Sequence, residues 1–197
     1  MKKHLILIVI CTLLLVSCTN QPLEPADFKG SAMPATIPAP DFELTDTDGN
    51  AVQLSDYEGK IVLLYFGYSF CPDVCPTSLS DLARVQRKLD DNGENIQVIM
   101  VTVDPERDTP QKLAEYVGYF HPTFIGLRGT KEEIDAAAEG FGVYYEKHEG
   151  SEATGYLVDH TARIFVIEPN GDYRLSFAFG TPAEDIVSDL KLILQRS

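Results

Sequence analysis

Apolar and polar positions along the chain predict strands and helices that alternate. A short apolar run at residues 61–66 is bounded by Gly59 and Gly67, which predicts a strand buried on both faces. Residues 96–103 predict a second buried strand. Helical spacing of apolar side chains follows each run, over residues 77–89 and 110–120. The pattern therefore predicts an α/β sandwich with a mixed central sheet.

Local signals predict the remaining elements. Two short runs around the turn D-T-D-G at residues 46–49 predict an added N-terminal β-hairpin within residues 41–54. Thr130 with Glu133, and Thr181 with Glu184, have the spacing of capping boxes and predict two helix starts. Further strands are predicted at residues 123–127, 163–168 and 173–179.

The N-terminal region carries an export pattern. Lys2 and Lys3 precede an apolar run at residues 5–16, which is shorter than the about 20 residues that span a bilayer. The run ends in L-V-S-C, which resembles a bacterial lipoprotein signal and implies that Cys18 carries lipid. We therefore expect a signal peptide at 1–17, a lipidated and flexible Pro-rich tether at 18–40, and one domain at 41–197. That domain would be extracytoplasmic and lipid-anchored to a bacterial membrane.

Composition limits the range of functions. The chain has 197 residues, 44% of them hydrophobic, which is enough for one ordinary core. Its formal net charge of −14 argues against nucleic acid or an anionic membrane surface as the main partner.

Two cysteines follow the first buried strand. Cys71 and Cys75 directly precede Pro72 and Pro76, respectively, at a predicted helix start, where backbone N–H groups stabilise thiolates. Their i, i+4 spacing suits either a disulfide or a shared metal ion. The alternative interpretations are an inert structural disulfide or two small buried hydrophobic residues.

One histidine has a distinctive position. His160 is expected in a loop directly before the apolar strand at residues 163–168, and strand-end loops often carry functional side chains. In a thioredoxin-like core that loop would face the cysteine loop. Two thiolates and one imidazole are fewer than the four protein ligands of a structural zinc site, and copper(I) tolerates three ligands. An ordinary polar histidine is the alternative.

Three separated motifs resemble the Sco/SenC family of copper-binding assembly proteins. They are FGYSFCPDVCPTSL, VDPERDTP and VDHTARIFVIEPNG, and the similarity runs from about residue 40 to the C-terminus. The resemblance implies a thioredoxin-like fold, copper as the bound metal, and cytochrome c oxidase subunit II as the partner. It implies that Cys71, Cys75 and His160 are the copper ligands. Residues expected to support the site are Asp104, Arg107, Asp108 and Asp159, with Arg107 and Asp108 forming an ion pair.

Two functions remain open from the sequence. A binding protein would hold one copper ion and pass it to its partner, with other copper chaperones or thiol reductases as further contacts. A thiol-disulfide oxidoreductase would instead use Cys71 and Cys75 to reduce the partner's cysteines. Only the first function needs His160. A peroxiredoxin-like peroxidase is disfavoured because the P-x-x-x-T-x-x-C pattern is absent around Cys75.

Overall fold

A computed structural model describes residues 23–89, 94–151 and 155–196. Within those ranges the chain forms ten strands and four α-helices. The strands are β1 (Ser31–Pro38), β2 (Glu43–Asp46), β3 (Ala51–Gln53), β4 (Ile61–Gly67), β5 (Ile96–Thr102), β6 (Ile125–Arg128), β7 (Tyr145–Glu149), β8 (Tyr156–His160), β9 (Arg163–Ile167) and β10 (Asp172–Ala178). The helices are α1 (Val74–Lys88), α2 (Pro110–Phe120), α3 (Lys131–Gly140) and α4 (Ala183–Leu194).

Eight of these strands form one mixed sheet in the order β1-β10-β9-β4-β5-β6-β2-β3. β4 and β5 run parallel, and every residue of both strands is buried, as the apolar runs predict. On its other side β4 pairs antiparallel with β9. The mixed α/β architecture predicted from the alternating pattern is therefore confirmed.

Helix α1 carries the second cysteine into the fold. It begins at Val74, three residues before the predicted start, so Cys75 lies in its first turn. Pro76 is tolerated there because first-turn N–H groups have no intrahelical acceptor. The apolar face of α1 includes Leu79 and Leu82, both fully buried, and the helix packs beside α2 and α4.

The expected flexible tether at 18–40 is wrong for the residues that form β1. This strand pairs antiparallel with β10 at the edge of the sheet. Pro34 lies where the pairing register of β1 shifts, between Ala32 and Ile37. An edge strand also has one side that pairs with no other strand, and a missing N–H group on that side breaks no hydrogen bond of the sheet. The prolines therefore did not prevent strand pairing.

Side chains also fix the segment before β1. Leu23 and Phe28 are buried. The fully buried Asp189 of α4 accepts hydrogen bonds from the backbone N–H groups of Lys29 and Gly30, at 2.9 and 2.8 Å. We call these contacts the Asp189 clasp. They hold residues 23–30 against the body of the domain.

Two of the local signals have different outcomes. The hairpin of β2 and β3 is present, and Thr130 with Glu133 forms the capping box of α3. The capping box at Thr181 is wrong. Its hydroxyl donates to the carbonyl of Ala178 at 2.8 Å, and Pro182 is the N-cap of α4.

The strands β7 and β8 form a separate antiparallel hairpin. His160, expected in a loop, is the last residue of β8 and lies opposite Tyr145. The polar character of this hairpin concealed it, since most of β7 is exposed. The pairing of β7 with β8 therefore sets the position of the His160 imidazole.

None of the described helices is long and apolar enough to cross a membrane. The predicted signal peptide and Cys18 lie outside the described residues.

Candidate metal centre

The sulfur side of the site is built at the end of β4. A side chain at Gly67 would place its Cβ 2.6 Å from Cε1 of Tyr65 and 3.1 Å from Sγ of Cys75, so only glycine fits there. The backbone N–H of Cys75 donates to Sγ of Cys71 at 3.3 Å, an interaction made available by the start of α1. Cys75 is fully buried, whereas Cys71 is partly exposed. Both are free cysteines.

The two thiols differ in acidity. Hydrogen bonds from the Cys75 thiol, from His160 and from backbone N–H groups lower the pKa of Cys71 to about 3, despite its partial burial. Burial and the neighbouring Cys71 thiolate raise the pKa of Cys75. The metal-free site therefore holds one thiolate, at Cys71, which is the more accessible sulfur.

The imidazole of His160 completes a compact group of donors. Its Nε2 lies 3.2 Å from Sγ of Cys75, and the donor atoms of Cys71, Cys75 and His160 all lie within 4.8 Å of one another. The rings of Tyr65 and Tyr68 meet the imidazole edge-on, at centroid distances of 5.9 and 6.0 Å. The structure thus brings together the three residues that the sequence singled out.

The β7–β8 hairpin that carries His160 is fastened to the loop after β5. Tyr156 donates its hydroxyl to the buried carboxylate of Asp104 at 2.6 Å, and Arg107 pairs with the same carboxylate. Arg107 also stacks over the Tyr156 ring at 3.6 Å and donates to the Tyr156 carbonyl. We call these contacts the Tyr156 clasp. A further bond joins the Val158 N–H to the Tyr68 hydroxyl at 3.2 Å.

The expected ion pair between Arg107 and Asp108 is corrected, because the ion pair described for Arg107 is with Asp104. Asp108 is fully buried and has a different role. It accepts hydrogen bonds from the N–H and hydroxyl of Ser69 and from the hydroxyl of Thr102. These bonds join the cysteine loop to the end of β5.

Asp159 lies at the mouth of the site. It lines, with Cys71, Asp73 and His160, a surface depression that opens to solvent. Its carboxylate is 77% exposed and meets Nε2 of His148 at 3.1 Å. A side chain so exposed contributes little to holding the site together.

The donors present fit copper. Nδ1 of His160 is buried and makes no hydrogen bond within the described chain, so no hydrogen bond at this nitrogen fixes the ring to another described residue. Two sulfurs and one imidazole form a soft set that suits copper(I) and falls short of a closed zinc site. The partly exposed Cys71 leaves one side of the site reachable from solvent.

Comparison with known proteins identifies the family of the chain. A family model described as SCO1/SenC matches residues 15–195. The chain belongs to the SCO1/SenC family. A SCO2-like protein of Rickettsia felis is 36% identical over 152 residues, covering 77% of this chain and 74% of the relative. The family resemblance of the three motifs is confirmed.

Solved Sco structures share the fold. Copper-bound ScoI of Arabidopsis thaliana matches with a TM-score of 0.76 and 33% identity, over 82% of this chain and all of the other. Apo Sco1 of Thermus thermophilus matches with a TM-score of 0.75 and 42% identity, over 84% of this chain and 96% of the other. Copper-bound ScoI of Bradyrhizobium japonicum matches at 0.72 and 36%, over 80% and 99%. The expected thioredoxin-like Sco fold is confirmed.

Three tyrosines at the site were not singled out from the sequence. Tyr65 and Tyr68 surround His160, and their position at the end of the apolar run beside the cysteines was an available signal. Tyr156 had no such signal, because its partner Asp104 lies 52 residues earlier in the chain.

Proposed function

We propose that this protein is an extracytoplasmic copper-delivery protein that binds one copper ion through Cys71, Cys75 and His160. Its partner would be subunit II of cytochrome c oxidase, whose binuclear copper site it would help to mature. The observation that carries the proposal is the convergence of three donor atoms within 4.8 Å. Two of them come from one helix start, and the third comes from a hairpin 85 residues away.

The arrangement suits transfer as well as binding. Three ligands leave a coordination position that an incoming thiolate could take, so copper could move by stepwise ligand exchange. Cys71, the more exposed ligand, is the sulfur that a partner would reach first. The copper-bound structures of Sco relatives support copper as the cargo.

The first test is an anaerobic copper titration of the reduced domain, residues 23–197, with a chromophoric competitor. We expect one copper ion per chain, and weaker binding in Cys71→Ala, Cys75→Ala and His160→Ala, with the cysteine changes more severe. His121→Ala is the matched control, because His121 lies at the end of α2 and its Nδ1 contacts Thr123. Unchanged copper affinity in His160→Ala would refute the three-ligand site.

A second function is supported by the acidity of Cys71. A partly exposed thiolate of lowered pKa beside a buried thiol suits disulfide exchange, with Cys71 attacking and Cys75 resolving. The protein would then reduce its partner's cysteines before they bind metal. His160→Ala separates the functions: it should weaken copper binding and largely spare disulfide exchange, because the Cys75 thiol, the largest cause of the lowered pKa of Cys71, is retained.

We also propose a lipid anchor at Cys18, on the basis of the L-V-S-C sequence. It would hold the domain at the outer side of a bacterial membrane. Mass spectrometry of the membrane-extracted protein tests this directly, and a Cys18→Ser variant should be released into the soluble fraction.

A further inference from the structure

Tyr65 is a buried side chain that the three-ligand site does not itself require. It is fully buried in β4, yet within the described chain its hydroxyl makes no hydrogen bond of normal geometry. A buried hydroxyl without a partner is costly, and native proteins rarely keep one without a reason. Phenylalanine would fill the same space without that cost.

The ring of Tyr65 lies against two of the three donors. Its Cε1 atom and Sγ of Cys75 both approach the missing Cβ of Gly67, at 2.6 and 3.1 Å. Its ring also meets the imidazole of His160 edge-on. Gly67 therefore allows the phenol to approach the buried sulfur closely.

Two acceptors lie beside the hydroxyl, namely Oγ of Ser78 and Sγ of Cys75. Ser78 already donates its proton to the carbonyl of Val74 at 2.8 Å, so it can offer Tyr65 only a neutral oxygen. A thiolate sulfur is a stronger acceptor, because hydrogen bonds to charged groups are about twice as strong as neutral ones.

The phenol itself can act only as a donor at this place. A phenol hydroxyl ordinarily loses its proton only at about pH 10, and its burial in β4 disfavours the charged form. The hydroxyl therefore keeps its proton near neutral pH.

We propose that the Tyr65 hydroxyl donates a hydrogen bond to Sγ of Cys75 when that sulfur carries the negative charge of a metal ligand. Tyr65 is then a positioning residue that stabilises the bound state of the least accessible ligand. No proton is transferred, and the bond is strengthened when the sulfur is charged. This inference rests on the proposed copper site.

The test compares wild type with Tyr65→Phe, which removes only the hydroxyl. We expect copper(I) affinity to fall by about 10-fold, as loss of one hydrogen bond to a charged group implies. In the copper(II) form, the sulfur-to-copper charge-transfer absorption should move to longer wavelength, because the sulfur electrons lose a stabilising donor. The metal-free protein should unfold at the same or a higher denaturant concentration, since Tyr65→Phe removes a buried hydroxyl that makes no regular bond there.

Ser78→Ala is the matched control, because it removes the competing acceptor and keeps the phenol. Its copper affinity should equal or exceed that of wild type, and its absorption should not shift. Tyr65→Phe with unchanged affinity and spectrum would overturn the inference, as would a loss of affinity matched by an equal loss of metal-free stability. Failure of wild type itself to bind copper would instead overturn the proposed function.

Discussion

Replacement of Asp108 tests whether the cysteine loop depends on a buried carboxylate. Asp108 and Thr102 are both fully buried, and the Thr102 hydroxyl donates to Asp108 at 2.5 Å. Ser69 donates twice more, through its N–H at 3.1 Å and through its hydroxyl. Asp108→Ala removes the acceptor for three donors, of which at least one has no access to water.

The size of the effect follows from these bonds. A hydrogen bond to a charged group contributes about 1.5–3 kcal/mol, and the contributions of neighbours are not additive. Breaking such a buried network costs about 3–5 kcal/mol, a large share of the about 5–15 kcal/mol by which domains are stable. Asp108→Asn keeps one carbonyl oxygen as an acceptor, so we expect a smaller loss.

The assay is urea unfolding of the reduced, metal-free protein. With a slope of about 2 kcal/mol per M, Asp108→Ala should lower the midpoint by about 2 M. Asp41→Ala is a matched control, since Asp41 also accepts from both the N–H and the hydroxyl of a serine, Ser55, but on an exposed surface. Its loss should stay below about 1 kcal/mol. A similarly small loss in Asp108→Ala would refute the reasoning.

Two further predictions concern the site. Because the pKa of Cys71 is about 3, its thiolate is almost fully formed by about pH 5, and its alkylation by iodoacetamide should proceed at a constant rate between about pH 5 and 8. Cys75→Ala removes the largest cause of the lowered pKa and should restore a rate that rises with pH; a rise already present in wild type would contradict the assignment. Tyr156→Phe opens the Tyr156 clasp at Asp104 and should weaken copper binding several-fold, as measured by competitor titration, while leaving Cys71 alkylation unchanged. Tyr144→Phe is its control, because the exposed Tyr144 hydroxyl bonds to Glu146, and equal loss of both readouts in Tyr156→Phe would count against a role specific to His160.

The sequence predicted the elements whose signals are local. The apolar run of β4 and the helical pattern after it follow directly from periodicity, and so does the capping box at Thr130. The cysteine loop was placed correctly for the same reason, because strand, prolines and helix start are contiguous in the chain. Thr181 shows the limit of such signals, since its hydroxyl satisfies the preceding turn instead of the helix.

The features that the sequence missed depend on contacts between distant segments. β1 contains two prolines and is a strand only because β10 offers it an edge. By sequence spacing alone, Arg107 could pair with Asp104 or with Asp108, and the structure pairs it with Asp104. The hydroxyl of Tyr156, 52 residues further along the chain, also bonds to Asp104. No local pattern decides between those partners, because the choice is made by the hairpin that folds over them.

The Asp189 clasp limits how far the domain can travel from an anchor. Leu23 is already buried, so only five residue steps separate it from Cys18. Fully extended, that length of chain reaches about 17 Å. If Cys18 carries lipid as proposed, Leu23 stays within about that distance of the bilayer surface, so the copper donors remain in the layer of space next to the bilayer. A receiving protein would have to present its cysteines within that layer.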